Sequence, residues 1–189
     1  DADEEVVGRF VAVPVEEASS SSPDDPVEPV PKRPKAKARD FALRRLSRRA
    51  HSEGELTRKM ARAGYPDDKI VETIDVLRKQ RYLDDVAFAR DFARERAERR
   101  RWGPARVETA LKALALADQH IKAALAEVFP FGEREAGERA FLRFLAGERR
   151  ALSPARRKAR AYRHLLARGF TPETSHELVS SHDFGDTKG

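Results

Sequence analysis

Shifted by 51 residues, the stretch from Ser52 to Ile70 falls on the stretch from Gly103 to Ile121. Leu56, Met60, Ala63, Tyr65 and Ile70 then meet Val107, Leu111, Leu114, Leu116 and Ile121. Every apolar position stays apolar, and the helix start stays a helix start. Farther on, Leu166-Ala167-Arg168-Gly169-Phe170 answers Ala61-Arg62-Ala63-Gly64-Tyr65. A chain written this way is a row of related units. One such unit buries little apolar surface alone, so neighbours must stack to extend the core.

The spacing inside each unit is helical. Phe41, Ala42 and Leu46, then Leu56, Met60 and Ala63, then Ile70, Ile74 and Leu77 recur at three and four residues, which places each set on one helix face. Alanine, leucine, arginine and glutamate dominate from about Arg39 onward, and all favour helix. The breaks are chemically specific. Ser52 and Glu55 form a capping box, in which a hydroxyl and a carboxylate each take an orphan N–H. Gly64 suits a left-handed helix end. Asp84 caps the next helix, Gly103-Pro104 starts another, and Ser153-Pro154 and Thr171-Pro172 repeat that grammar. The spacing predicts helices at 39–50, 52–63, 67–80, 85–101, 104–114, 118–128, 133–148, 154–168 and 172–182, with the middle helix of the third unit about one turn longer. The expected fold is all-α: three tandem three-helix repeats (38–83, 84–131 and 132–184) in an elongated, curved array. Ala115 stands where the other units have glycine, and a left-handed alanine costs roughly 1 kcal/mol, so a different helix end is expected there.

Charge divides the chain at its linker. Residues 1–31 hold nine acids and one base, whereas the remainder holds 37 bases and 23 acids. The run Ser19–Ser22 with Pro23, Pro26, Pro29, Pro31 and Pro34 cannot bury enough apolar surface to offset its ordering entropy, so 1–37 is expected to be a disordered tail and basic linker, as is the end at 185–189. Val11, Val13 and Val15 alternate as in a strand, but no partner strand is evident. An acidic tail before a basic body points to nucleic acid or an acidic protein partner. The 189 residues contain no cysteine, which excludes disulfide and thiolate chemistry. No apolar run is long enough to span a membrane, and no secretory pattern opens the chain, so a cytoplasmic location is expected. The chain starts at Asp1 and has one methionine, Met60; a processed or truncated form is expected.

Several strings together resemble the RecX family. They are Ala42-Leu43 with Leu46, His51-Ser52 with Glu55-Leu56, and Gly64-Tyr65. Tyr82-Leu83-Asp84-Asp85 with Phe88-Ala89 follows, then Trp102-Gly103-Pro104 with Arg106-Val107 and Leu111, then Leu165-Leu166-Ala167-Arg168-Gly169-Phe170. The resemblance covers about 40–184 and leaves the acidic tail outside. It implies a non-enzymatic modulator of the RecA recombinase, which lies along the groove of the RecA–DNA filament. Such proteins usually restrain the recombinase's ATPase, strand exchange and co-protease activities.

The basic residues supply candidate contacts. Arg94, Arg99, Arg100, Arg101 and Arg106 crowd the end of the second unit's first helix around Trp102. They suit both the helix dipole and a partner's phosphate or carboxylate. Arg96, one turn beyond Phe92, reads as structural, and Trp102 as a packing residue. In the third unit Arg149, Arg150, Arg156, Arg157, Arg160 and Arg163 form a basic region in which Glu148 is the one nearby acid. Arg44, Arg45, Arg48 and Arg49, with Lys32, Arg33, Lys35, Lys37 and Arg39 upstream, read equally as a phosphate-binding arm and as a solubilising linker. Nucleic acid and an acidic protein surface reward the same arginines, so both remain open. Contact with single- or double-stranded DNA alone is expected to be weak and non-specific, and the protein to be a monomer. Catalysis finds no support. Asp84 and Asp85 are adjacent on a helix and do not face one another. The five histidines lack metal-ligand spacing, and neither a phosphate loop nor a nucleophile elbow is present, so no cofactor is expected. The rival class is an autonomous helix-turn-helix-like DNA-binding protein, which a basic body of three-helix units also permits.

Overall fold

A computed structural model describes residues 36–149 and 152–185. The tail expectations for residues 1–35, the basic arm Lys32, Arg33 and Lys35, the site candidate Arg150, and residues 186–189 lie outside the described part. The described residues form nine α-helices and no strand: α1 (Ala38–Leu46), α2 (Glu53–Arg62), α3 (Asp67–Lys79), α4 (Asp85–Arg100), α5 (Pro104–Ala113), α6 (Asp118–Val128), α7 (Arg134–Gly147), α8 (Pro154–Arg168) and α9 (Pro172–Ser180). No helix among them is long and apolar enough to cross a membrane.

The helices pack in triplets, α1–α3, α4–α6 and α7–α9. Each triplet closes on its own small core. The first is built on Leu56, Met60, Ile70, Ile74 and Leu77, the second on Val107, Leu111, Leu116 and Ile121, and the third on Phe141, Leu165, Phe170, Leu178 and Phe184. The 51-residue shift thus maps one core onto the next. Leu56, Met60 and Leu77 are completely buried, and each such side chain stabilises by about 1.5–3 kcal/mol over an exposed one.

The starts and stops explain the helix limits. Ser52 accepts the Glu55 N–H at 3.0 Å, Asp84 accepts the Ala87 N–H at 2.9 Å, and Thr171 accepts the Thr174 N–H at 3.3 Å. Gly103 and Ser153 occupy N-cap positions without a side-chain bond. The expected box at Ser52 needs one correction. The Glu55 carboxylate is gripped by Arg49 and lies 3.5 Å from Lys59 Nζ. A fixed guanidinium offers a carboxylate two parallel hydrogen bonds, more than one backbone N–H supplies. The first helix also ends at Leu46, short of residue 50. There Ser47 closes it through its N–H to Leu43 O (2.9 Å) and its hydroxyl to Arg44 O (3.2 Å). The residues released let Arg49 reach Glu55 and Ala50 O.

Ala115 keeps the helix end that glycine makes elsewhere. Its φ of 57° is left-handed, and the flanking bonds from Ala115 N to Lys112 O (2.9 Å) and Leu116 N to Leu111 O (3.4 Å) close the turn. The expected departure at this position is absent. The reason lies in the neighbouring triplet: Gly54 of α2 leaves the space that Ala115 fills, since a β-carbon at Gly54 would stand 2.6 Å from the Ala115 β-carbon.

That contact is half of a recurring joint. The start of α2 meets the end of α5: Ser52 Oγ donates to Leu114 O, and Arg58 donates to Ala113 O at 2.6 Å. The start of α5 meets the end of α8 in the same sense. Gly103 N donates to Arg168 O at 2.7 Å, Arg106 donates to Ala167 O, and a β-carbon on Gly169 would stand 2.6 Å from Arg106 N. Asp85 adds a bond across the first joint, accepting the Glu53 N–H at 2.9 Å. The two adjacent aspartates therefore serve two helices, Asp84 its own and Asp85 that of the preceding triplet. Burial raises the Asp85 carboxyl above the usual range, partly offset by that N–H.

Candidate anion-binding cleft

The second joint brings the two arginine-rich segments together. α4 ends in Arg99 and Arg100, and the capping residue Arg101 turns the chain with φ 55°. The next residue, Trp102, is gripped on the way out. Arg96 lies 5.2 Å and Arg106 4.4 Å from its ring, and Arg96 also covers Phe92 at 4.7 Å. This stack fixes where Arg101 emerges. From the other side Arg168, at the end of α8, donates to Arg100 O.

Between the end of α4 and the facing sides of α7 and α8 lies a cleft of about 600 Å³. Five guanidiniums line it: Arg101 from α4, Arg143 from α7, and Arg160, Arg163 and Arg168 from α8. Glu148 is the one carboxylate among the described lining residues, and Arg160 is bound to it at 2.7 Å. The apolar part is Ala140 and Phe144; the His164 ring lies 4.7 Å from that of Phe144, and Arg160 covers the ring at 5.8 Å.

The electrostatics record this crowding. Burial pushes the Arg168 guanidinium down, and the charges of Arg106 and Arg100 push it further. Burial likewise lowers His164 below the usual imidazole value, with Arg168 and Arg160 adding to the effect. Like charges held together in a partly desolvated cleft favour an anion that can accept several guanidinium bonds, such as a phosphate or carboxylate.

The remaining candidates do not line this cleft. Arg99, Arg100, Arg149 and Arg156 are exposed. Arg94 pairs with Glu127 at 2.7 Å, and Arg106 is occupied by Ala167 O and Trp102. Arg157 donates to Phe184 O at 3.0 Å and covers that ring at 5.8 Å. In the first triplet, Arg45 covers Phe41 at 5.0 Å and Arg39 donates to Gln80 at 3.2 Å. Sequence reading missed Arg143, Arg168 and His164. His164 and Arg168 sit on the helix already flagged as basic and Arg143 on α7, which was not flagged; only the joint between α5 and α8 shows that Arg168 and Arg101 share a wall.

Comparison with known proteins gives a consistent match. The profile of the RecX first three-helix domain matches residues 38–77, and that of the RecX second three-helix domain matches 84–125. Regulatory protein RecX of Halorhodospira halophila is 34% identical over 154 residues, covering 80% of this chain and 91% of that protein. Regulatory protein RecX of Geobacillus thermodenitrificans is 31% identical over 144 residues, covering 76% of this chain but 52% of that longer protein. A crystal structure of a regulatory protein RecX superposes with a TM-score of 0.65 at 22% identity, covering 77% of this chain and 72% of that one, a likeness of fold.

Proposed function

The chain belongs to the RecX family, and from that premise we propose that it is a non-enzymatic regulator that lies in the groove of a RecA–DNA filament. Its effect is to restrain RecA ATP hydrolysis, strand exchange and co-protease activity in DNA repair and the SOS response. It acts in the cytoplasm, as a monomer on the filament.

The observation that carries this reading is the cleft of five guanidiniums between the second and third triplets. It suits phosphate or acidic protein side chains presented along a polymer. The contact surface assigned to it comprises Arg101, Arg160 and Arg163 inside the cleft, with Arg94, Arg99, Arg100, Arg106, Arg149, Arg156 and Arg157 outside its lining, and with Arg150, which lies beyond the described residues, assigned from the sequence alone. Arg143 and Arg168 join them. Several modest contacts along a filament add avidity without one deep pocket.

The test is a titration into RecA–single-strand DNA filaments, recording ATP hydrolysis and association together. Slowed turnover with saturable binding is expected. Unchanged turnover without association rejects the reading. The alternative, an autonomous DNA-binding protein, has the three-helix units and the basic body in its favour. DNA binding without RecA, followed across salt, separates the two. Weak and steeply salt-dependent binding fits the regulator, whereas tight and sequence-selective binding fits the alternative. Residues 1–31, with nine acids and one base, are assigned a masking role. Deleting them is expected to tighten filament or DNA binding at low salt; unchanged affinity removes that role.

A further inference from the structure

The same body carries one face of opposite character. Beside the turn that links α3 to α4, a groove of about 390 Å³ opens between the first and second triplets. Its wall is aromatic. Tyr82 is 57% exposed, and Phe88 and Phe92, stacked at 6.1 Å, are only partly buried. Its rim carries three carboxylates, Asp84, Asp91 and Glu95, against one guanidinium, Arg81, among the described lining residues. Burial lowers His51, at the same groove, below the usual imidazole value. Asp84 is committed to its helix cap. Asp91 and Glu95 meet only their sequence neighbours, Arg90 at 3.3 Å and Arg96 at 3.1 Å. Such surface pairs hold little free energy and exchange readily for better partners.

We infer that this groove docks a protein segment in which one large apolar side chain is flanked by lysine or arginine. An exposed tyrosine beside two half-covered phenylalanines is the kind of anchor pocket that dominates protein interfaces. The carboxylate rim selects the charge of the occupant. It repels a nucleic-acid backbone, and it repels the acidic residues 1–31 of this chain for the same reason. The groove and the cleft therefore divide the work, one taking a basic protein segment and the other an anion. On the filament reading, on which this identification of the partner rests, the segment belongs to the recombinase.

The experiment compares the full-length protein with Asp91→Lys/Glu95→Lys and with Tyr82→Ala, all at surface positions, on RecA–single-strand DNA filaments and on the DNA alone. Thermal melting checks the fold of each variant; if the charge reversal does not fold, Tyr82→Ala decides alone. The charge reversal is expected to weaken filament binding on the order of tenfold, while binding to naked DNA stays level or tightens because two acids have become bases. Tyr82→Ala is expected to weaken filament binding severalfold and leave DNA binding alone. Filament affinity at or above the wild-type value in either folded variant overturns the inference. If the wild-type protein ignores the filament, the regulatory reading fails separately. The groove is then judged with a fluorescein-labelled peptide bearing Leu-Phe between lysine pairs. Saturable binding lost in the variants sustains the inference, and absence of binding overturns it.

Discussion

At φ 57°, Ala115 holds its β-carbon where glycine sits without penalty, and it closes the same helix-end turn that Gly64 and Gly169 close in the other triplets. Replacing it should relieve that strain. Ala115→Gly is expected to stabilise by about 1 kcal/mol, seen as a melting temperature raised by about 2–4 °C. Arg101 is the informative contrast. It has the same left-handed backbone at φ 55°, yet its side chain lines the basic cleft. Strain kept beside a candidate binding cleft points to a role for the side chain there. Arg101→Gly is expected to raise the melting temperature by a similar amount while weakening filament binding. If melting rises and binding is untouched, Arg101 makes no functional contact. Gly64 and Ala115 could be compared from the sequence, because the repeat aligns them. Arg101 could not, because it belongs to a helix end that reads as continuing.

Among elements, the helices were legible and the joints were not. Periodicity and caps located all nine described helices to within a few residues, because each apolar stripe and each N-cap is encoded locally. The first helix ran too long on paper because residues 47–50 favour helix as strongly as their neighbours. The competing pull, Arg49 on Glu55, comes from the next element. The candidate site shows the same limit. The sequence located both basic segments but not their convergence, which depends on Gly103 and Gly169 letting α5 and α8 approach. Gly54 does the equivalent for α2 and α5, and its role has a direct test. Gly54→Leu would drive a side chain into Ala115 and is expected to cost about 1–3 kcal/mol. The corresponding readout is earlier amide exchange at the α2–α5 contact than in the core of α7–α9. Uniform exchange with unchanged melting would show that the joint tolerates bulk.

For the molecule as a whole, pH acts at both ends of the row. His51, in the first triplet, and His164, in the third, are both lowered by burial. Each imidazole is thus protonated more readily in the unfolded chain than in the folded one. Their contribution to stability is present above about pH 6.5 and is lost as pH falls through the folded values. Glu55 is also lowered. Burial alone would raise it, but its bond to Arg49 and the charges of His51, Arg49 and Lys59 prevail, so it adds to the loss at more acid pH. Asp85, raised by burial, acts in the opposite sense. The melting temperature is expected to drop between pH 7.5 and pH 5.5, and His51→Gln/His164→Gln to flatten that drop. An equal slope in the variant would place the pH dependence elsewhere.

The two joints share one further property. Most of their bonds end on main-chain atoms: the carbonyls of Ala113, Leu114, Ala167, Arg168 and Arg100, and the amides of Gly103 and Glu53. A carbonyl at a helix end is the same group whatever side chain its residue carries. A unit attached in this way can be copied and the rest of its surface rewritten without matched changes in its neighbour, provided the bonding side chains (Ser52, Arg58 and Asp85 at one joint, Arg106 and Arg168 at the other) and a small residue at the point of closest approach are kept. The chain can thus keep a basic cleft beside one joint and an acidic groove beside the other, because the accepting side of the attachment is main chain; Arg168 alone both donates across its joint and lines the cleft.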